Sequence, residues 1–261
     1  MINQNSIISI CDLDTLIYLV SYQHKDNNDV DLVINDVDTY MNLIMTTTNC
    51  SHYLGFIGGE RCFRYDFYPE YKSNRPESPD WFIKWKSVIR YRLVDYWGVL
   101  VSDGRESEDD CIICANHYKQ FTNVVLVHVD KDLSFWEGNH WDYQKHRFYY
   151  VDKLGYLELN KSKIKGVGLK WFYTQLICGD ASDNIKGLKG KGPAFAYKLL
   201  NDCTTEYSLF RRTYLAFLKY SNREHFILTW KLIKMLDKLD GWEIPTPVKY
   251  IKKEFNLDDL V

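Results

Sequence analysis

The chain has 261 residues, of which 46% are hydrophobic, and a formal net charge of −2. This length suits one large domain or two small ones, and the lack of an apolar run of about 18 residues excludes a membrane-spanning helix. The segment MINQNSIISI lacks the features of a signal peptide, and the seven cysteines are scattered. We therefore expect a reduced, cytoplasmic protein, in the host cytoplasm if the chain is viral.

Strands and helices are predicted to alternate through about residue 150. Short apolar runs predict strands that end at Asp12, Gly58, Ser102 and Asp130. Helices are predicted between them at 14–22, 32–45, 80–97 and 108–118. The segment RFYYVDKLGYLELN, residues 147–160, predicts a β-hairpin that turns at 153–155. Further helices are predicted at about 168–178, 192–201, 204–219 and 222–239.

This order of elements predicts an α/β fold, with a central, mostly parallel sheet flanked by helices and a helical extension. We assign residues 1–150 to the α/β core and 151–261 to the extension, within one compact unit. In open parallel sheets, ligands bind beyond the carboxyl ends of the strands. Asp12 and Asp130 both stand at that position.

Four acidic clusters are candidates for a metal site. They are Asp12 with Asp14, ESEDD at 106–110, Asp130 with Asp132, and Asp180 with Asp183. Carboxylate oxygens are the ligands that Mg²⁺ and Mn²⁺ prefer, and two such ions can drive phosphoryl hydrolysis. Each cluster also has a structural interpretation. A D-x-D pair can be a turn or cap, ESEDD a solvated helix start, and GDASDN an Asx-turn.

A glycine-rich basic segment, GDASDNIKGLKGKGP, spans residues 179–193. Its glycines let backbone amides approach phosphates, and Lys186, Lys189 and Lys191 lie among them. Between residues 161 and 201 there are eight basic and two acidic residues, a local excess of six positive charges. Metal ligands beside a phosphate-binding segment indicate an enzyme that acts on nucleic acid.

The segment GDASDNIKGLKGKG resembles the helix–hairpin–helix signature of the 5′-nuclease superfamily, the flap endonucleases and 5′–3′ exonucleases. EYKSNRP resembles the family's Y-K-x-N-R segment, SEDD its E-x-D-D helix start, and VDKDL its D-x-D motif. Asp12 matches the aspartate that ends the first strand. The motifs cover most of residues 6–200, and the short chain is most similar to the bacteriophage enzymes.

The resemblance implies a set of site residues. Metal ligands, for two Mg²⁺ or Mn²⁺ ions, are implied at Asp12, Glu106, Asp109, Asp110, Asp130, Asp132, Asp180 and Asp183. Lys72 and Arg75 would engage the scissile phosphate, although YKSNRPESP can also be read as an ordinary basic loop. The hairpin would bind K⁺ and duplex DNA, and the DNA-binding residues are Lys84, Lys86, Arg90, Gly187, Lys189, Gly190, Lys191 and Gly192.

Three departures from the family pattern stand out. Where an aspartate usually follows the second strand, this chain has Gly58 and Gly59, so Glu60 substitutes, the site has one ligand fewer, or metal binding is weaker. The glutamate of E-x-D-D falls on Ser107, with Glu106 and Glu108 on either side, and the choice between these two stays open. Lys191 stands where the hairpin usually has an apolar residue, and Ala194 where a lysine usually follows.

Between residues 70 and 97 aromatic and basic residues alternate, which in the family forms a helical arch over the active site. The aromatic residues here either stack unpaired bases or belong to the core. Cys111 and Cys114 could indicate a redox or zinc site, but a single i, i+3 pair on a helix favours a core position.

The sequence thus predicts a 5′–3′ exonuclease and flap endonuclease for primer removal in DNA replication. Its substrates would be 5′ flaps, nicked or recessed duplex and RNA–DNA hybrid. We expect a monomer without membrane contact, with a single-strand-binding protein or clamp as partner. Two alternatives are a junction-binding protein with weak or lost catalysis and an RNA-directed nuclease. The hairpin at 179–193 argues against the second.

Overall fold

The computed structural model describes residues 6–241, and no helix in that range is long and apolar enough to cross a membrane. Residues 242–261 of the predicted helical extension lie outside the described residues. Two compact units are present. Unit 1 comprises the chain up to Phe63, Pro76–Lys131 and Gly138–Tyr150. Unit 2 comprises Arg64–Arg75, Asp132–Glu137 and the chain from Val151.

The strands and helices follow the predicted order in most places. The strands are β1 (Ile7–Asp12), β2 (His52–Gly58), β3 (Leu100–Ser102), β4 (Asn123–Val127), β5 (Gly138–Asp142), β6 (Arg147–Val151), β7 (Leu157–Asn160), β8 (Lys163–Gly166), β9 (Gly179–Asp180) and β10 (Ile185–Lys186). The helices are α1 (Asp14–Gln23), α2 (Val30–Thr48), α3 (Arg64–Phe67), α4 (Asp80–Tyr91), α5 (Ser107–Tyr118), α6 (Gly168–Cys178), α7 (Pro193–Leu200), α8 (Glu206–Tyr220) and α9 (Arg223–Ile233). A π-helical turn follows α4 at Arg92–Tyr96, and a 3₁₀ turn spans Lys131–Phe135.

The central sheet of unit 1 has the strand order β3-β2-β1-β4-β5-β6. β1 pairs in parallel with both β2 and β4, and the β2–β3 and β4–β5 pairs are also parallel. The predicted α/β class with a mostly parallel sheet is therefore confirmed. Because these strands run in one direction, Asp12 and Gly58 end neighbouring strands at the same edge of the sheet.

Helix α4 and the π-helical turn are fixed to unit 1 by apolar packing and by an ion pair. Phe82 and Trp85 are buried, so these two predicted stacking candidates belong to the core. Beyond them, the Arg92 guanidinium donates to both carboxylate oxygens of Asp38 at 2.9 and 2.6 Å. Two aromatic side chains of this segment stay at the surface, Tyr91 and Tyr96.

The hairpin predicted over residues 147–160 is wrong. β6 joins the central sheet beside β5, whereas β7 pairs with β8 in a separate two-stranded sheet. Aromatic contacts explain the choice, because Tyr149 of β6 stacks on His140 of β5 with ring centroids 4.9 Å apart. The alternation of β6 suits either partner, and these cross-strand contacts decide between them.

Two predicted elements end earlier than expected. β4 ends at Val127, because the His128 ring turns back and its Nδ1 contacts the Asp130 carbonyl oxygen at 2.6 Å. In unit 2, α9 ends at Ile233 rather than near 239. The buried Arg64 donates to the carbonyls of Leu232 at 2.9 Å and Lys234 at 3.3 Å. Those carbonyls lie at the end of the helix, where a guanidinium stabilises the helix terminus.

Candidate active site

The end of β1 carries a deeply buried carboxylate that was predicted as a metal ligand. Asp12 is 1% exposed, and its Oδ2 is buried without a hydrogen-bond partner among residues 6–241. Burial, and then the carboxylates of Glu108, Asp14 and Asp130, raise the pKa of Asp12 well above its ordinary value. An orphaned carboxylate oxygen among other carboxylates is a position that favours a cation.

Ser107, at the start of α5, lies at the centre of these carboxylates. Its Oγ is 3.1 Å from Asp12 Oδ1, 3.0 Å from Asp14 Oδ2 and 3.0 Å from Glu108 Oε2. One hydroxyl carries one proton, so it donates to only one of the three oxygens at a time. The other two carboxylate oxygens face the lone pairs of Ser107 Oγ. A proton or a cation is needed to offset the repulsion between these oxygens.

The acidic side chains of the ESEDD segment make different contacts. The Asp109 carboxylate accepts the Glu106 backbone N–H at 3.1 Å, in a capping box at the start of α5. Asp110 pairs with Arg105, whose Nε lies 2.7 Å from its Oδ1. Glu108 is the glutamate that faces Asp12. The proposed ligands Glu106, Asp109 and Asp110 therefore take part in helix capping and an ion pair in this structure.

The two glycines at the end of β2, Gly58 and Gly59, are required for different structural reasons. The Gly58 N–H donates to both carboxylate oxygens of Asp14, at 3.1 and 3.0 Å. A Cβ on Gly59 would lie 2.1 Å from the Ser102 carbonyl oxygen, so the backbones are too close for any side chain there. Glu60 is exposed. Arg90, predicted to bind DNA, donates to the Gly58 carbonyl at 2.7 Å.

In unit 2 the segments EYKSNRP and GDASDN bind each other across more than 100 residues of sequence. Asn74 donates to the Ala181 carbonyl at 2.7 Å, and the Lys72 N–H donates to the Asp183 carbonyl at 3.0 Å. The Asp183 carboxylate accepts from Tyr71 Oη at 3.0 Å and from Arg75 Nη2 at 2.6 Å. Lys72 Nζ lies 3.8 Å from the same carboxylate. The two predicted phosphate-binding cations are thus held by one aspartate.

The other predicted ligands of unit 2 lie in turns. Asp180 Oδ1 accepts from Ser182, at 2.8 Å from the backbone N–H and 2.5 Å from the hydroxyl, so the Asx-turn interpretation of GDASDN describes its geometry. Asp132 accepts a hydrogen bond from Gln175. Among residues 6–241, no group of three or more histidine, cysteine, aspartate or glutamate side chains is gathered closely enough to hold a metal ion as it stands.

The glycines of the hairpin in the basic segment fall into two groups. One is required by close backbone packing, and the others face open space. A Cβ on Gly187 would lie 2.3 Å from the carbonyl oxygen of Ile177, so Gly187 serves close backbone packing. Gly190 has φ +70° and Gly192 is the N-cap of α7, and no atom of the described residues lies within 4 Å of a Cβ added to either. The exposed Lys189 lies beside them. Gly190 and Gly192 therefore leave room for a ligand to approach the backbone.

The remaining predicted DNA-binding lysines differ in their surroundings. Lys191 Nζ lies 4.1 Å from the ring centroid of Tyr220, which explains a lysine at a position where an apolar residue is usual. Lys84 Nζ donates to Asn28 Oδ1 at 3.2 Å and lies over the Trp85 ring. Lys86 is exposed.

The cysteine pair on α5 is structural. Cys111 is fully buried, and burial raises the pKa of the Cys111 thiol well above its usual range. Burial also raises the pKa of Cys114 to about 11. The burial of Cys111 agrees with the core position that a single i, i+3 pair on a helix favours.

We expect Gly187 and Gly192 to respond differently to alanine. Gly187→Ala should lower the free energy of unfolding by about 1–3 kcal/mol, because the new Cβ forces backbone atoms apart. Gly192→Ala should cost less than about 1 kcal/mol, because its Cβ meets open space. Urea denaturation of both variants measures the difference. Equal losses would show that the two glycines do not divide in this way.

Comparisons with known proteins were made on both sequence and fold. No protein-family model matches the chain. It is 28% identical over 204 residues to the thermostable DNA polymerase I of Thermus aquaticus, covering 73% of this chain and 23% of the polymerase. It is 25% identical over 206 residues to the flap endonuclease Xni of Pseudoalteromonas translucida, covering 75% of this chain and 77% of that protein. The chain thus spans less than a quarter of the polymerases it matches.

The fold is shared with nucleases of bacteriophage T5. The T5 5′-exonuclease with bound zinc superposes with a TM-score of 0.62 at 15% identity, over 87% of this chain and 89% of that one. The T5 D15 flap endonuclease, in complex with DNA and metal ions, gives a TM-score of 0.56 at 15% identity, over 96% of this chain and 98% of that one. The predicted resemblance to flap endonucleases is borne out by the sequence similarity to Xni, and the T5 structures show the same fold.

Proposed function

We propose that this chain, a relative of the 5′-nucleases in sequence and fold, is a divalent-metal-dependent 5′-nuclease. It hydrolyses DNA phosphodiesters at 5′ ends and junctions, as a 5′–3′ exonuclease and flap endonuclease. The observation that carries this proposal is the buried, unpartnered Asp12 Oδ2 among the carboxylates of Glu108, Asp14 and Asp130. A role in primer removal during replication is in keeping with the polymerase I relatives.

The carboxylates of unit 1 would hold Mg²⁺ or Mn²⁺. Asp12, Glu108 and Asp130 are the first candidates, and Asp132, Asp180 and Asp183 of unit 2 are candidates through the resemblance. Such an ion lowers the pKa of water and neutralises phosphoryl charge. Among residues 6–241 these side chains are not gathered into a ligand set, so they would reorient to hold an ion. Oxygen donors alone suit a hard cation better than zinc.

Lys72 and Arg75 would stabilise the charge that develops on the phosphate. Asp183 orients both cations, and its hydrogen bond from Tyr71 fixes the carboxylate in turn. Lys72 has a left-handed backbone conformation, with φ +56°, which its hydrogen bond to the Asp183 carbonyl maintains. Non-glycine residues in this conformation are concentrated at functional sites. A preorganised guanidinium and ammonium suit phosphoryl transfer.

The hairpin at 187–192 would bind duplex DNA through its backbone and Lys189, with K⁺ at its carbonyls. Open glycines, the N-terminus of α7 and the excess of basic residues in this part of unit 2 support a phosphate contact. Lys84, Lys86 and Arg90 of unit 1 would follow the strand. Phosphate contacts position a nucleic acid without reading its sequence, so we expect selection of structure rather than sequence.

We expect DNA binding to depend strongly on salt. Lys189→Ala should weaken binding equally for unrelated sequences and reduce the slope of log affinity against log salt by about 1. Fluorescence anisotropy of a labelled 5′-flap substrate in EDTA, between about 50 and 200 mM salt, measures this slope. Lys25→Ala, at an exposed position two residues after the end of α1, is the matched control. An unchanged slope in Lys189→Ala would remove this lysine from the interface.

The direct test of the function compares labelled substrates of one sequence. We expect Mg²⁺ or Mn²⁺ to support cleavage of a 5′ flap and of a nicked or recessed duplex, with little cleavage of single strands. An RNA–DNA hybrid arm tests whether RNA primers are also substrates. Flap binding without turnover in either metal would contradict the proposal. It would favour the junction-binding alternative, which is based on Gly58 at a position where a metal ligand is expected.

The proposal also covers the oligomeric state, the compartment and the partner proteins of this chain. We propose a monomer in a reduced cytoplasm, a setting that suits seven cysteines scattered along the chain. A single-strand-binding protein or a clamp is the partner that flap processing would need. Size-exclusion chromatography with light scattering tests the monomer.

A further inference from the structure

We infer that Asp14 is a metal ligand in this chain and that its carboxylate takes the place of a side chain at Gly58. The inference rests on the proposed function, because it assigns one more ligand to the same site. Asp14 is the first residue of α1 and lies two residues after the buried Asp12. A turn or cap is the alternative role for an aspartate at such a position.

The position of the Asp14 carboxylate is the first observation. Both of its oxygens accept from the Gly58 N–H, and a Cβ built on Gly58 would lie 2.9 Å from Asp14 Oδ2. A side chain at the end of β2 would therefore begin where this carboxylate already lies. Gly58 has no left-handed φ, so its backbone alone does not require glycine.

The surroundings of Asp14 are the second observation, and they point to a cation. Asp14 Oδ2 shares the Ser107 hydroxyl with oxygens of Asp12 and Glu108, at 3.0 to 3.1 Å. Within the described part of the chain, the buried Asp12 Oδ2 has no hydrogen-bond partner. A carboxylate that served only as a cap would have no need of two others around one hydroxyl.

The two observations together explain how the chain does without an aspartate after β2. The Gly59 backbone is too close to Ser102 for a side chain, and Gly58 faces Asp14. The negative charge expected at the end of β2 is supplied from the start of α1. The number of ligands is thereby conserved although the residue that provides one of them has changed.

The test measures Mn²⁺ affinity of the full chain by calorimetry, without DNA. Asp14→Asn keeps an oxygen that can accept from the Gly58 N–H but removes the charge, and we expect Mn²⁺ to bind at least about tenfold more weakly. Asp31→Asn is the matched control, since Asp31 is an exposed aspartate in the first turn of α2. This control should bind Mn²⁺ as the wild type does.

A second set of variants moves the carboxylate from position 14 to position 58. It makes the test independent of a folding defect in any one variant. Asp14→Ala should lose Mn²⁺ affinity, and Asp14→Ala with Gly58→Asp should recover it to within about threefold. Gly58→Asp alone should be destabilised, because its Cβ meets the Asp14 carboxylate. Wild-type affinity in Asp14→Asn, or a double variant no tighter than Asp14→Ala, would overturn the inference.

The outcomes separate this inference from the proposed function. Unchanged Mn²⁺ affinity in Asp14→Asn, with metal-dependent flap cleavage by the wild type, refutes the role of Asp14 and leaves the nuclease intact. Weakened Mn²⁺ binding in Asp14→Asn, with no cleavage by the wild type, supports Asp14 as a ligand and refutes the nuclease.

Discussion

Asp12→Asn should make the metal-free protein more stable while it abolishes the reaction. The wild-type carboxylate is buried among three others with one oxygen unpartnered, and an amide removes that charge without changing the shape of the side chain. We expect a gain of about 1–3 kcal/mol in the free energy of unfolding at neutral pH. Flap cleavage should fall by about 10²- to 10³-fold or more.

The pH dependence of this gain has a definite sign. The folded-state pKa of Asp12 lies above its ordinary value of 3.8. The stability that the protonated carboxyl contributes is therefore complete below about pH 4 and is lost as the pH rises through the folded pKa. The advantage of Asp12→Asn should be largest at neutral pH and disappear near pH 4.

Thermal unfolding in EDTA and in Mn²⁺ measures both effects. The wild type should gain stability from Mn²⁺, whereas Asp12→Asn should gain much less, because binding to the folded state is what stabilises it. Asp31→Asn serves as the control for loss of one negative charge. A metal-free Asp12→Asn protein that is less stable than the wild type would mean that the carboxylate is satisfied without a cation.

Lys72→Ala should lower turnover by about 10²- to 10³-fold while DNA affinity changes by no more than about threefold. The Lys72 side chain is only 15% exposed and its ammonium lies beside Asp183, so it contributes little to general attraction of DNA. Its charge matters when the phosphate becomes more negative during the reaction. Single-turnover cleavage and anisotropy on one flap substrate separate the two quantities.

Two further variants give this prediction its controls. Lys72→Gly relieves the left-handed φ of +56° but also removes the ammonium, so it should be as inactive as Lys72→Ala. Lys84→Ala, on the exposed face of α4, should weaken DNA binding more than turnover. Near-normal turnover in Lys72→Gly would assign the role to the backbone conformation instead of the charge.

The sequence predicted the carboxyl-end position of Asp12 because a β-branched apolar run that ends in aspartate has one reasonable interpretation. The sequence did not decide which of Glu106 and Glu108 is the metal ligand, because nearly every residue of ESEDD is acidic. A shift of one residue rotates the helix start by about 100°. The structure turns Glu108 toward Asp12 and uses Glu106 in the cap. Which acid faces the sheet is decided by the packing of α5, which composition does not reveal.

Other differences have long-range causes. The local pattern at Asp14 permits a cap or a metal ligand, and its carboxylate accepts the N–H of Gly58, 44 residues later. The end of α9 depends on Arg64, which lies 168 residues before Leu232. Similarly, the partner of β6 depends on aromatic contacts with β5. In each case the local pattern permits several outcomes, and a contact with a distant segment selects one.

Single-turnover cleavage of a 5′-labelled flap is the most direct measurement of the central proposal, that this chain is a metal-dependent nuclease. We predict cleavage by the wild type in Mg²⁺ or Mn²⁺, none in EDTA, and none by Asp130→Ala combined with Asp183→Ala in either metal. Cleavage that persists in EDTA, or activity that is unchanged in the double variant, would contradict the claim.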